Sequence, residues 1–518
     1  MLSERGGGAA ASPAAGVLVL LCQDLSAKVP GLDLLEVGEG LRRRQPGVRV
    51  GLQPALCENP RAVGPALRAA AVRRLVLGLC SEDYPELEVQ AQVRKAGLDP
   101  LGVGVAVLGR HSGAHINAGA QLLLSAAVAR ALAFRGSGAE NLKTVLLPLQ
   151  EKVSRRALFT MLPITYQPIP SVNRDLCAAP DGCEQCVAAC PHAALSKAAD
   201  GIFLHRDLCQ GCGACVAICP WRALHFPGWS VEELEAQLDA LLAPSAHTSP
   251  PGILFACKKS QPQPNEGWLT VRVPCMAMAF TSVVLHTLAR GAGAVALADC
   301  GQNCPNGYGK KVQARVDYCQ QLLTALGEEP PRVRFWAPGS PPPAGPSPTA
   351  VAPGPVALFG RGAAALAVEA LAVQHPGAAG LVLESPLSPL GVVRITAGAC
   401  TGCGACAEAC PTAALRHRYE GDHVTLTFDP RMCTACGQCL SRCPERALGA
   451  IALVRVTDMG LLAGGPRSVF HDGVARCRRC GEPVAARRVL ERLATILGEG
   501  NTAEALGRLC PDCRGLPL

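Results

Sequence analysis

"CQGCGACVAICP", residues 209–220, sets four cysteines at a fixed rhythm and follows the last with proline. Nearly the same phrase returns at 400–411 as "CTGCGACAEACP". Cys433, Cys436, Cys439 and Cys443, before Pro444, repeat the spacing C-x2-C-x2-C-x3-C-P. Cys177, Cys183, Cys186 and Cys190, before Pro191, repeat all of it but the first gap, which "AAPDG" widens to five residues. Four runs of four account for sixteen of the 28 cysteines.

Three cysteines within about seven residues can wrap one iron–sulfur cubane only if the backbone turns tightly, so Gly211, Gly213, Gly402, Gly404 and Gly437 fall among them. Amides of such a loop can donate to the cluster sulfurs. Zinc sites do not use this spacing. It is the spacing of bacterial two-cluster ferredoxins, in which the fourth cysteine serves the other cluster of the pair. On that rule Cys177, Cys183, Cys186 and Cys219 make one set, and Cys209, Cys212, Cys215 and Cys190 the second. Cys400, Cys403, Cys406 and Cys443 make a third, and Cys433, Cys436, Cys439 and Cys410 a fourth. The fourth cysteine is expected to open a short helix, with the proline at its first turn. The insertion after Cys177 leaves an altered or three-ligand set as the alternative for the first. Strand-like pieces, "GIFLHRD" and "HVTLTFD", lie between the paired runs. Both modules, 171–228 and 391–455, thus resemble the two-cluster ferredoxin, which implies four 4Fe–4S clusters.

The composition fits this reading. A chain of 518 residues exceeds one core and implies several domains. A disulfide framework belongs to small secreted domains. The opening "MLSERGGGAAASPAAG" lacks the pattern of a signal peptide and reads as a disordered tail, 1–14. "GVLVLLC" (16–22) is too short to span a bilayer, and "AGAQLLLSAAVARALAF" (118–134) is also short and carries Arg130. A cytoplasmic protein with reduced thiols and no transmembrane segment is expected. The formal charge of +8 could point to nucleic acid. Four clusters, each about −2 with its four thiolates, would offset it. No basic helix face with interleaved aromatics is present, so nucleic acid is not an expected partner.

Between the modules, "GILFACKKS", "LTVRVPCMAMAF" and "GAVALADCGQNCPNGYGKK" read as strands that deliver Cys257, Cys275, Cys300 and Cys304, with helices between and after them. This is a small parallel α/β domain, 251–328, with its cysteines at the carboxyl ends of strands, where such sheets bind ligands. The stretch resembles the delta subunit of methyl-viologen-reducing hydrogenase, which implies a 2Fe–2S cluster on Cys257, Cys275, Cys300 and Cys304. Two departures stand out. The last two cysteines are separated by three residues where the family has about four, and Pro305 replaces the usual histidine. Buried structural cysteines are the alternative. Cys319, at helical spacing with Leu322 and Leu323, reads as core.

From 15 to 137 apolar strands again alternate with helices and end at Cys22, Cys57 and Cys80. With "RHSGAHINAGAQLLLSAAVARALA" at 110–133, this part resembles the N-terminal domain of the flavin-containing subunit of heterodisulfide reductase. The resemblance implies a cluster site, but only three cysteines are available; buried free cysteine is the alternative. His111 and His115 are weak candidate ligands. That subunit's flavin domain is missing: "ALFGRGAAALAVEALA" (357–372) lacks the third glycine of a dinucleotide fingerprint and reads as a small α/β remnant, 357–390.

Residues 138–170 read as linker, 229–250 as helix and linker, and Pro-rich 329–356 as a semi-rigid tether that would let the halves reposition. At 466–518, "CRRCGEP" and "CPDCR" place Cys477, Cys480, Cys510 and Cys513 as paired knuckles. They imply zinc, or alternatively a fifth iron–sulfur cluster.

The expected fold is multidomain α/β and α+β, with two two-cluster ferredoxin modules, small parallel α/β domains and a C-terminal four-cysteine knuckle domain. The expected function is electron relay within a cytoplasmic oxidoreductase complex, more an electron-transfer subunit than a stand-alone enzyme. The resemblances imply redox partners of hydrogenase, formate dehydrogenase or heterodisulfide-reductase type. The alternatives are an enzyme with an open iron site, and an assembly or redox-sensing accessory factor for a molybdenum or iron–sulfur enzyme.

Overall fold

A computed structural model describes residues 16–109, 115–146, 164–243, 249–257, 259–260, 262–264, 267–301, 304–329, 332–341, 343, 345–346, 362–373, 375–497 and 509–514. The expected tail, His111 and half of the Pro-rich tether lie outside these residues, and the described half carries strand Val333–Trp336, paired with Ala294–Ala298, where a tether is expected.

Val17–Cys22 and Gly252–Cys257 are buried along their whole length. An unbroken apolar run of six residues cannot keep one face in water, so each becomes an inner strand of a parallel sheet. The first sheet runs Arg49–Gln53, Val17–Cys22, Arg74–Leu79, Gly104–Val107, all parallel. The second runs Trp268–Val273, Gly252–Cys257, Ala294–Ala298, Val333–Trp336, also all parallel. Both follow the order second, first, third, fourth. The two α/β domains share one topology, and each delivers cysteines after its first three strands. Cys57 is the exception to the strand-end expectation: the strand stops at Gln53, and the cysteine follows in a turn that holds Ala55 at φ +49°.

Helix Ile116–Ala133 joins the two domains. One side fills the core of the first sheet. On the other, Leu122 and Ala126 share a core with Leu238 and Leu241 of helix Val231–Leu241. Arg130 lies 3.7 Å above the Trp229 ring and donates to the Gly228 carbonyl. Among the described residues this is the one helix long and apolar enough to cross a membrane, and half of it is buried inside the protein. Its hydrophobicity is spent on a core.

The ferredoxin modules depart from expectation in one local detail. The short helix precedes the fourth cysteine rather than following it: Gln185–Ala189 closes at Cys190, Ala214–Ile218 at Cys219, and Gln438–Arg442 at Cys443. Proline after the cap ends the helix instead of starting one, because it cannot continue the hydrogen-bond ladder. The third cysteine of each run, Cys186, Cys215, Cys406 or Cys439, sits inside the helix and is buried. Hairpins Leu195–Ala198/Gly201–Leu204 and Leu415–Glu420/His423–Phe428 connect the paired runs.

Several expected boundaries dissolve. The stretch read as linker at 138–170 carries the antiparallel pair Leu142–Leu146/Ile164–Pro168. The segment read as a remnant forms no described unit of its own. Its helix Ala363–Ala372 buries Ala365, Ala367, Val368 and Leu371 in the core beside helix Thr281–Ala289. The two larger side chains alone contribute roughly 1.5–3 kcal/mol each. Its strand Val382–Glu384 pairs with Ile451–Asp458 of the second module. The knuckle segment is likewise continuous with that module, since Arg467–Arg476 pairs with His423–Phe428. The middle domain therefore packs against both halves.

Candidate cofactor and metal centres

The crossed sets come together in space. Cys177, Cys183 and Cys186 line a cavity with Cys219, closed by Val172, Ile202, Trp221 and Leu224. Cys400, Cys403 and Cys406 line a second with Cys443, walled by Ile395, Leu426 and Ile451. In the other two sets, Cys190 packs beside Cys209, and Cys410 shares a core with Cys433 and Cys439. The insertion after Cys177 does not expel it. Residues 178–183 fold into a tight turn, with Cys183 N–H donating to the Ala178 carbonyl at 3.0 Å and Gly182 at φ +94°. Cys177 stays with its set and the extra residues bulge outward.

Electrostatics indicate what these sets need. Burial pushes the Cys186, Cys406 and Cys433 thiols up to about 12, and Cys212 to about 11; nearby sulfurs reinforce each shift. Four such groups ionise together only around a cation. Donors are in place for the resulting charge. The N–H of Ala194 reaches Cys190 Sγ at 3.3 Å, that of Ala223 reaches Cys219 at 3.4 Å, and that of Gly402 reaches Cys400 at 3.4 Å. Cationic side chains stand close by. Lys143 donates to the Cys209 carbonyl at 3.1 Å, and Arg455, beside Cys433, to that of Ala435 at 2.8 Å. Part of the +8 formal charge thus lies against the sulfurs. Apolar walls, four sulfurs and convergent amides fit an iron–sulfur cluster.

Residues 179–223 and 399–447 match the 4Fe-4S dicluster domain family. The chain carries two 4Fe–4S dicluster domains. Residues 254–343 match the methyl-viologen-reducing hydrogenase, delta subunit, family. No curated protein matches the chain. These similarities support iron–sulfur electron transfer in an oxidoreductase context.

In the delta-like domain, Cys257, Cys275, Cys300 and Cys304 face one another at the carboxyl ends of the strands. Burial raises the Cys300 thiol, and Cys257 and Cys304 add to the shift. Burial likewise raises Cys275, with Cys304 and Cys257 adding to it and the Asn306 amide opposing. Asn306 Nδ2 donates to Cys275 Sγ at 3.4 Å. Cys319 is fully buried in the core and takes no part, as its spacing predicts.

The N-terminal trio also converges. The sulfurs of Cys22, Cys57 and Cys80 lie within 4.8 Å of one another, and Cys80 N–H donates to Cys57 Sγ at 3.1 Å. Tyr84 follows Cys80 at the same interval as Cys304 follows Cys300, and its phenol lies near Glu86 and Arg130. His115 is exposed at the start of its helix, outside this group.

At the C-terminus all four sulfurs of Cys477, Cys480, Cys510 and Cys513 lie within 4.8 Å, with Cys480 and Cys510 3.6 Å apart. A tetrahedral ion with metal–sulfur bonds of about 2.3 Å sets sulfurs about 3.8 Å apart. The spacing fits one metal ion and is too tight for a cubane.

Two groups of residues escaped the sequence reading. His192, Asn306 and Tyr308 join the first dicluster domain to the delta-like domain, and Asp181 and Arg442 join the two dicluster domains. Only Asp181 carried a signal, since it lies in the insertion that breaks the spacing.

Proposed function

We propose that the chain is an electron-relay subunit of a cytoplasmic oxidoreductase complex, holding four 4Fe–4S clusters on the crossed cysteine sets. The delta-like domain, with a 2Fe–2S cluster on Cys257, Cys275, Cys300 and Cys304, is its port to a catalytic partner of hydrogenase, formate dehydrogenase or heterodisulfide-reductase type. The expected likeness of residues 15–137 to the flavin-containing subunit of heterodisulfide reductase belongs to this proposal. The observation that carries it is the cavity bounded by Cys177, Cys183, Cys186 and Cys219, in which cysteines from two separate runs meet around a space no side chain fills.

When bound, each cluster would take up and return one electron without proton or atom transfer. The protein's part is to hold thiolates, direct amides at the sulfurs, and exclude water. Val172, Ile202 and Leu224 do the last for the first set, and Ile395, Leu426 and Ile451 for the third. The C-terminal quartet is the structural zinc site of this reading, tying the knuckles to the second dicluster domain.

The test is iron, acid-labile sulfide and zinc per chain after anaerobic purification, with EPR of the reduced protein. About eighteen irons, one zinc and a 2Fe–2S signal support the whole reading. About sixteen irons without that signal leave the delta-like domain an inert scaffold. Fewer than about twelve irons defeat the relay.

A further inference from the structure

The sets of cysteines are not arranged in space as they are along the chain. The first dicluster domain meets the delta-like domain through Cys212. That residue shares an apolar contact group with Ala214, Cys275, Ala277 and Tyr308, and Cys304 packs against it. The approach is close: a Cβ on Gly213 would stand 2.5 Å from Met278 Sδ. Beside it, His192 Nε2 lies 2.7 Å from Asn306 Oδ1, and the same asparagine donates to Cys275 Sγ. Cys215, of the same set as Cys212, shares a core with Cys186.

Cys186 belongs with Cys177, Cys183 and Cys219, and this set faces the second dicluster domain. Asp181 pairs with Arg442 at 3.7 Å across the boundary. Gln185 Nε2 lies 4.0 Å from where a Gly437 Cβ would stand. Gln438 reaches the Cys183 thiol, and Cys436 lies near Cys183 across the same boundary. Within the second domain, Cys439 and Cys406 share the core. In the last set, Cys403 is exposed.

We propose that the five cysteine sets form one unbranched line, in which the three-residue insertion before Cys183 is the joint between the dicluster domains. The order is the Cys275 set, the Cys212 set, the Cys183 set, the Cys436 set and the Cys403 set. This rests on the reading that the sets hold clusters. Each step moves one electron, lost by one set and gained by the next, with no bond made or broken. A one-electron protein donor at one end and a one-electron protein acceptor at the other complete the balance. The line is open to solvent at Cys403. The insertion acquires a role on this view: it lifts Asp181 out of the ligand loop toward Arg442, which a two-residue gap could not do.

The test reads magnetic coupling between neighbouring centres in the dithionite-reduced full chain by EPR, with iron content measured on each sample. Cys436→Ala should relieve the spin–spin splitting of both the Cys183 and the Cys403 centres. Cys403→Ala should relieve that of the Cys436 centre alone. Deleting Pro180 to Gly182, which restores the two-residue gap and removes no ligand, should keep the iron content and lose the coupling between the Cys183 and Cys436 centres. Asp181→Arg, which leaves the loop length intact, should weaken the same coupling. Loss of about four irons in Cys436→Ala with the splitting of the Cys183 centre unchanged overturns the order, and a full iron content with the Cys183–Cys436 coupling unchanged in both joint variants overturns the joint. Wild-type protein with fewer than about twelve irons instead overturns the cluster reading on which it rests.

Discussion

Tyr318 and Thr457 meet hydroxyl to hydroxyl at 2.9 Å, the first on helix Gly309–Ala325 of the delta-like domain, the second on strand Ile451–Asp458 of the second dicluster domain. Ser388 closes the group, 3.0 Å from Thr457. All three side chains are buried. A dry polar contact between domains holds only if its partners stay matched, so it fixes one docked arrangement. Thr457→Val removes a partner from both other hydroxyls and should destabilise this interface by about 1–3 kcal/mol. Tyr318→Phe should cost less, because Thr457 keeps Ser388. The double variant should cost less than the sum of the two, as a direct contact requires. Hydrogen exchange along Ile451–Asp458 measures all three; strict additivity would show that the hydroxyls are not coupled.

Gly404 caps helix Ala405–Glu408 at φ +80°, and a Cβ there would lie 2.8 Å from His417 Nδ1. His417 itself is held by the Gly402 carbonyl at 3.0 Å. Gly404→Ala combines left-handed strain with a clash, at roughly 1–3 kcal/mol for the backbone alone. The expected readout is a loss of about four irons per chain from the second dicluster domain. Adding His417→Ala should recover only part of that loss, because it clears the space and leaves the φ angle unchanged.

The centres are far more legible in the sequence than the way they are joined. The runs resemble two-cluster ferredoxins, and that family's cross-over pairs Cys177, Cys183 and Cys186 with Cys219. Strand ends holding Cys257, Cys275 and Cys300 are visible as apolar runs stopping at cysteine. Docking is not visible. Asp181 and Arg442 lie far apart in the chain and have no periodicity that marks them. The helix Ala363–Ala372 reads as part of a lost domain because its own sequence does not say which surface it covers. Proline after the fourth cysteine reads as a helix start and acts as a helix stop, since both uses are common and only the cap geometry separates them.

Asn306 links two domains and one sulfur, so it is the residue on which the delta-like centre's potential should depend. Its amide donates to Cys275 Sγ, and such a bond favours the more negative, reduced state. Asn306→Ala should lower the midpoint potential of that centre by about 20–60 mV, the equivalent of one ordinary hydrogen bond for a one-electron couple. The potentials of the second dicluster domain should not move. An EPR-monitored redox titration decides this; an unchanged potential would remove Cys275 from the ligand set or Asn306 from its surroundings.

Metal binding at the C-terminal quartet should be steeply dependent on pH, in a direction its hydrogen bonds fix. Backbone N–H groups of Cys510 and Cys480 donate to Cys477 and bring its thiol down to about 6, so it is already ionised at neutral pH. Cys513 is pushed up to about 12, first by its bond to Cys510. Cys480 also lies above an ordinary thiol: the backbone N–H of Glu482 favours its thiolate, but the bonds to the Cys477 and Cys510 sulfurs, together with desolvation, outweigh that. Cys480 and Cys513 therefore carry protons in the free site, and a metal must displace at least both. Affinity should fall as pH falls from 8 to 6, by at least about a hundredfold per unit, and more steeply below 6 as Cys477 takes up its proton. Zinc competition against a chelating dye across this range is the measurement. A flat profile would mean that the sulfurs, though close together, are not the ligands.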